Sequence, residues 1–427
     1  MKIKQTIIVT LLVVVTLFIV LLYWSVGSTD KIYTKSIVYD IDNLETTNFR
    51  DYDSVELVPS DLYKADEVKK LFQGEQYRAA WSKKIKVPIV FLDTLKGGMT
   101  ILKEGGGKQT HSLKLKGADG ITYTLRGVNK DASALIPEFL KTLNLENVVV
   151  DGISAQHPLA AILVAELAEK ANVMHTGPNM VFVPKQKELQ QYNENYGNRL
   201  YLLEYETESD INYTKYSNVS KIVETDDLQE MKVSLKDSLH VDTSTLVRSR
   251  LFDMLIGDWD RHTKQWGWAI QKKDSMYNAI PIAGDRDNAF FHLEGVIPLI
   301  LSNKNVVKEL RPFDEDIDFI EGYIYPFDRY FLLKTPQDIF IQEAEKLQAT
   351  LTDSALKESL KVWPKNIRDL DADDILKKIK SRRNDLKEYA TKFHEIIQKQ
   401  GKVMEPLKGS EDIALPENLL NCFECYP

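Results

Sequence analysis

Cysteine is almost absent: only Cys422 and Cys425 occur in 427 residues, so no disulfide framework can hold the body of this chain together. A cationic excess is missing too. Against 55 Lys+Arg stand 63 Asp+Glu, a net charge of −8, which removes the electrostatic basis of general nucleic-acid binding. The glycine spacing fits neither a Walker A loop nor a dinucleotide fingerprint, and residues 31–80 hold no repeat or low-complexity tract. What is there is 43% hydrophobic and 28% charged, an ordinary globular balance with enough apolar side chains for a large core. The length suggests two or three structural units.

Charge is also missing from Ile7 to Trp24, 18 residues that follow Lys2 and Lys4. That is close to the ~20 apolar residues needed to cross a bilayer, with Tyr23 and Trp24 at the place of an interfacial aromatic belt. The run reads as an uncleaved signal anchor, with a cleaved signal peptide ending near Ser25-Val26-Gly27 as the alternative. Positive charge before it and Asp30 after it put the short tail in the cytoplasm and the rest outside, on the periplasmic or extracytoplasmic side of an inner membrane.

Residues 31–80 are polar with scattered Tyr and Leu and read as a stalk, with a helical lead-in near Ser60 to Phe72. Strand signals follow at Val87 to Leu92, Ser112 to Lys116 and Ile121 to Arg126, the last two alternating with period two around a turn at Ala118-Asp119-Gly120. A helical pattern covers His157 to Ala171, and Asn179 to Val183 and Leu200 to Glu204 read as strands. Asp242 caps a helix through Ile256 with an apolar stripe. Gln337 to Gln400 is mostly amphipathic helix broken at Trp363-Pro364. A sheet-rich first half and a helical second half give an α+β protein of two lobes. The Cys422-x-x-Cys425 tail reads as exposed, closed by a disulfide once exported.

Chemistry-bearing residues concentrate in three places. Five of the 20 glycines fall between Gly97 and Gly107, in a stretch ending Gly105-Gly106-Gly107-Lys108-Gln109, where exposed backbone N–H groups can cradle phosphate. The second place is Gly257 to Trp266. It puts Asp258, Asp260, Arg261, His262 and Gln265 within eight residues at a helix exit, with Trp259, Trp266 and Trp268 around them. So many charges are hard to explain by folding, because burying them costs several kcal/mol unless they are paired. The third is Gly284-Asp285-Arg286-Asp287 between an apolar strand and Phe290-Phe291, where carboxylate oxygens suit Mg²⁺ or Mn²⁺.

The order of a Gly-rich hairpin, a basic residue on the next strand, a helix, an Asp-x-His loop and a strand-Asp resembles the atypical protein-kinase-like fold. The resemblance is to the spore-coat CotH-type kinases and, more distantly, to HipA-type and secretory-pathway casein kinases. From Tyr77-Arg78 to the C-terminal helices the chain is similar to a Bacteroidetes envelope family associated with metallophosphoesterase and outer-membrane barrel modules. GGGKQTHSLKL, YTLRGVNKD, GDWDRHTKQW and GDRDNAFF carry both likenesses.

The resemblance implies a β-rich nucleotide-binding lobe over 81–205 and a helical lobe over 206–405 with the catalytic and metal loops. These lie between the 1–6 tail, the 7–24 anchor and the 25–80 stalk on one side and the 406–427 tail on the other. Gly105, Gly106 and Gly107 with Gln109 become the loop over the nucleotide phosphates, and Arg126 the strand cation, with Lys130 four residues on. Asp260 becomes the catalytic Asp that orients or deprotonates an acceptor hydroxyl, and His262 braces its loop, supported by Asp258 and Arg261. Asp285 becomes the metal ligand, shared with Asp287 and with Gln265 in the place of an Asn. ATP would be the donor, Mg²⁺ or Mn²⁺ the cofactor, and an envelope protein or glycan the acceptor. Kinases of this kind carry Lys where Arg126 stands, and the helix from His157 offers Glu166 and Glu169 but no first-turn acid to pair with it. Two alternatives stay open. One is a degenerate nucleotide-binding protein or envelope scaffold; the other is a two-metal phosphoesterase built from Asp258, Asp260, His262, Asp285, Asp287 and His292.

Overall fold

The computed structural model describes residues 2–27, 29, 36–105, 111–308 and 310–426. Three sheets and a set of helices make a mixed α+β fold. Strands β1 (Ile37–Val38), β2 (Ser54–Val58) and β3 (Ile85–Pro88) form a small antiparallel sheet. Strands β4 (Met99–Gly105), β5 (Ser112–Gly117), β6 (Thr122–Gly127), β7 (Asn179–Val183) and β8 (Arg199–Tyr205) form a five-stranded antiparallel sheet in the order β4-β5-β6-β8-β7. Strands β9 (Val219–Glu224), β10 (Leu239–Val241), β11 (Trp266–Lys273) and β12 (Met276–Ala283) form a third sheet, β10-β12-β11-β9, in which only β10 and β12 run parallel.

Period-two alternation decides what each face of the five-stranded sheet carries. Leu113, Leu115, Tyr123, Leu125, Tyr201 and Leu203 turn to one side and bury with Leu92 and Met99 as a core of their own. The intervening positions, Lys114, Thr124, Arg126 and Glu204, are left for the other face, and the register sets Thr124 beside both Lys114 and Glu204. The turn read at Ala118-Asp119-Gly120 is present, closed by Gly120 N donating to Gly117 O at 2.9 Å.

The central helix runs from Thr243 to Ile256. Asp242 caps it by accepting the Thr245 N–H at 2.9 Å. It is buried on nearly every side, because helices cover one flank and the β9–β12 sheet another. Gly257 ends it in the left-handed region (φ +71°), with the Phe313 ring so near that a Cβ would sit 2.6 Å from it. The break at Pro364 also holds: helix Lys365–Asn384 begins there and Leu386–Gln400 follows.

Two expected boundaries change. Most of the segment expected as a stalk belongs to the body: Val55, Leu57, Tyr63 and Phe72 are buried, along with Tyr77 and Trp81. Tyr77 Oη donates to Phe290 O at 2.7 Å and Trp81 Nε1 to Gln156 O at 2.8 Å. Buried residues here follow no helical or strand period over any long run, so polar neighbours dominated the sequence reading. The C-terminal segment is likewise docked. Leu407, Leu419, Cys422 and Phe423 are buried, the Phe423 ring lies 5.2 Å from Phe331, and Cys422 and Cys425 are joined by a disulfide.

The N-terminal helix spans Lys2–Gly27, and its stretch Ile3–Gly27 is long and apolar enough to cross a membrane. Its outer part is exposed, while its last turns are fixed to the body. Ser25 and Val26 are buried, Tyr23 Oη donates to Leu143 O at 2.7 Å, and Trp24 Nε1 donates to Asp66 at 3.1 Å. Asn147 Nδ2 donates to Val26 O at 2.9 Å. The other long apolar stretch, Glu146–Lys170, is mostly buried core.

His157 supplies a pH test of this core. Its ring stacks on Trp363 at 4.2 Å and meets Tyr77 edge-on at 4.8 Å. Nδ1 accepts the Leu159 N–H at 3.1 Å, leaving Nε2 3.3 Å from the Asp371 carboxylate. Burial pushes the imidazole below its usual pKa of 6.5, and Asp371 opposes without prevailing. A lowered folded-state pKa means that the stabilisation is present above pH 6.5 and is lost as pH falls through the folded value. Urea midpoints should therefore decline below that pH, and His157→Phe should flatten the decline. Parallel pH profiles would discharge His157 from this role.

Candidate functional site

The site forms where the loop after the central helix meets the loop after β12. Arg261, fully buried, holds the two together: Nη1 donates to Gly284 O at 2.8 Å and to Gln265 Oε1 at 3.0 Å, and the guanidinium lies over the Trp266 ring. Gly284 N donates back to Gln265 O at 3.0 Å. The charge on Arg261 is met by Asp253 at 3.3 Å and Asp258 at 3.4 Å. Asp253 also pairs with Arg250 at 2.8 Å and Arg286 at 2.9 Å, and Arg250 reaches Asp328 at 2.7 Å. These guanidiniums hold the Asp253 carboxyl below the usual range although burial acts to raise it. Burial instead carries Asp258 well above the usual range, against the attraction of Arg261, and Asp253 adds to the rise.

Across from these loops, β6 and the residues after it supply cations. Arg126 Nε donates to Glu204 at 2.8 Å and its Nη1 to Asp285 at 3.1 Å. Lys130 Nζ lies 2.8 Å from Asp287. Asp285 sits at φ +53°, a backbone turn that few residues besides Gly, Asn and Asp adopt. Burial alone would raise its pKa, but Arg126 and then Lys130 outweigh it, and the carboxyl ends below the usual range. Asp287 goes the other way: burial, aided by the nearby Asp285 charge and opposed by Lys130, pushes it up to about 6.

A cleft of about 500 Å³ runs from this point between the five-stranded sheet and the two loops. Gly105, Lys114, Arg126, Glu204 and Glu206 line it on the sheet side, and His262, Gln265 and Asp285 line it opposite. Burial raises the Glu206 pKa and lowers that of His262. The His262 Nε2 is 3.9 Å from Asp260, and its Nδ1 is buried with no hydrogen-bond partner among the described residues. Asp260 itself lies on a second, mostly apolar cavity of about 250 Å³, walled by Trp259, Phe291 and Leu301.

The structure thus brings Arg126 and Asp285 to the cleft with His262, Gln265 and Gly105, sets the Lys130–Asp287 pair near Asp285, and leaves Asp260 beside the cleft. Gly106, Gly107 and Gln109 lie outside the described residues. Gln265, expected as a metal ligand, has its carbonyl oxygen engaged by Arg261. The acid expected on the helix from His157 is elsewhere. Arg126 pairs with Glu204 on β8, whereas Glu166 and Glu169 pair with Lys170 and His175. Glu204 was readable in outline as the one acid among the apolar residues of its strand; only the β6–β8 register shows that it meets Arg126. His292 pairs with Glu294 at 3.0 Å, and no group of three or more His, Cys, Asp or Glu residues placed to hold a metal exists among the described residues.

No protein-family model matches the chain, and no curated protein does. Among solved structures, it is similar to the Helicobacter pylori proinflammatory kinase CtkA. The identity is 12% and the TM-score 0.36, over 70% of this chain and 96% of that one. A chain of the Shewanella oneidensis MR-1 toxin–antitoxin complex of HipA, HipB and operator DNA is similar at 12% identity and TM-score 0.32, over 74% of this chain and 68% of that one.

Proposed function

We propose that this chain is a membrane-anchored phosphotransferase that transfers the γ-phosphoryl group of a nucleoside triphosphate, with ATP as donor, to a hydroxyl acceptor in the cell envelope. The reading is supported above all by two ion pairs, Arg126–Asp285, which lines the polar cleft, and Lys130–Asp287 beside it. Among the described residues both cations are held by carboxylates alone, so phosphate oxygens can take the cations while the carboxylates turn to a metal. The donor set fits that role. Burial, with the Asp285 charge adding to it, pushes Asp287 up to about 6, a cost a divalent cation would relieve. They would hold Mg²⁺ or Mn²⁺, which supplies neutralisation of phosphate charge. Arg126, fixed in direction by Glu204, binds the phosphates with Lys130. Asp260 receives the acceptor's proton, and His262 stays neutral and braces the loop.

A second reading, nucleotide binding without transfer, is favoured by Gln265, whose carbonyl oxygen is spent on Arg261. Both readings require nucleotide. The full chain in detergent should gain thermal stability with ATP plus Mn²⁺ or Mg²⁺, and Arg126→Ala should lose that gain. If no nucleotide shifts the wild-type transition with either metal, both readings fail.

A further inference from the structure

The apolar cavity beside Asp260 is not needed for a nucleotide, and its surroundings point to what fills it. On one side it is walled by Val148, Val149, Gly152 and Ile153 from the helix Glu146–Gly152 and the turn after it. On the other it is walled by Pro298 and Leu301 of the helix Val296–Leu301. Both helices also touch the end of the apolar N-terminal helix, because Val26, Leu145 and Val148 form a small core with Leu22, Leu140 and Ile297 packed on it. The cavity and the exit of the N-terminal helix thus share the same two walls.

The outer surface of these walls is apolar. Leu299 and Ile300 are 57% and 53% exposed. Phe139, on the helix Glu138–Thr142 whose end is tied to Tyr23 through Leu143, is 63% exposed. Leu71, next to the Phe72 that meets Phe18 at 5.4 Å, is 60% exposed. Large exposed side chains collected around one apolar helix form the kind of patch that an aqueous surface rarely keeps, and a bilayer interface covers it. Leu301, 37% exposed, belongs to the cavity while its neighbours Leu299 and Ile300 face outward.

Resting on the phosphotransferase reading and on the N-terminal helix lying in a bilayer, we infer that the acceptor is a hydroxyl-bearing membrane lipid. Its apolar chain occupies the cavity between Gly152 and Leu301, and its head group reaches Asp260. In the reaction a bond forms between the lipid hydroxyl oxygen and the γ-phosphorus, and the bond from that phosphorus to the β–γ bridging oxygen breaks. The hydroxyl proton passes to Asp260, and a nucleoside diphosphate leaves. Apolar burial would supply the binding, while Asp260 sets which atom is presented.

Gly152 gives a clean test, because a Cβ there meets nothing within 4 Å and its backbone is right-handed helical (φ −58°), so a larger side chain enters the cavity without strain. The full chain would be reconstituted in phosphatidylcholine vesicles containing a photoactivatable diacylglycerol, and labelling mapped by mass spectrometry. Labelling should fall within residues 148–153 or 296–301 and drop at least about tenfold in Gly152→Phe and in Leu301→Glu. Wild-type labelling elsewhere, or labelling of both variants at the wild-type level, overturns the inference. The Mn²⁺–ATP thermal shift, measured on the same three proteins, reports separately. Its retention shows the variants folded, and its absence from wild type sinks the phosphotransferase reading while lipid labelling still decides the cavity.

Discussion

Asp260→Asn is expected to lower nucleotide turnover by roughly 10²–10⁴-fold, the usual worth of a positioned general base. Nucleotide affinity should change little. The asymmetry follows from where the carboxylate sits: it opens on the apolar cavity, whereas Arg126 lines the other cleft with Asp285, and Lys130 pairs with Asp287. Asp285→Asn should show the opposite pattern, losing metal-dependent nucleotide binding, because it removes the carboxylate that faces Arg126 at 3.1 Å. Isothermal titration for binding and release of inorganic phosphate or nucleoside diphosphate for turnover separate the two. An Asp260→Asn protein with wild-type turnover would leave Asp260 without a chemical role.

Asp253→Ala is expected to cost about 3–5 kcal/mol of stability, the range for removing one partner from a buried charge network. Three buried guanidiniums, of Arg250, Arg261 and Arg286, converge on this one carboxylate. Asp328 and Asp258 would keep Arg250 and Arg261 partly compensated, but Arg286 makes no other ion pair among the described residues. Asp253→Asn keeps the volume and loses the charge, so similar losses in both variants would assign the effect to electrostatics. A loss confined to Ala would assign it to the hole. Denaturant unfolding of the full chain measures both. Because Arg261 ties Gly284 to Gln265, nucleotide binding should weaken in the same variants at temperatures where they remain folded.

Much of the helix and strand pattern was legible wherever a period was strict. The β5–β6 hairpin, β7 and the capped helix Thr243–Ile256 stand where alternation or a cap residue placed them. The candidate site was legible as clusters, since buried acids and bases so close in sequence need partners nearby. What sequence could not supply was pairing across strands and loops. Glu204 meets Arg126 because β8 lies beside β6, and Lys130 meets Asp287 across 157 positions. The segment from Ile37 to Trp81 was misread for a different reason. Its buried side chains, such as Tyr63 and Tyr77, are spaced by turns rather than by a repeating period, so burial there is set by contacts with distant residues.

Because Ser25 and Val26 are buried in the body, no slack remains between the apolar helix and the rest of the chain at that point. With the helix in a bilayer, the body could not swing on a tether. The height of the cleft above the lipid plane would be set by helix geometry, with little dependence on chain entropy. Encounters would then follow surface density in two dimensions, and molecules carried on long stalks away from that plane would be beyond its reach.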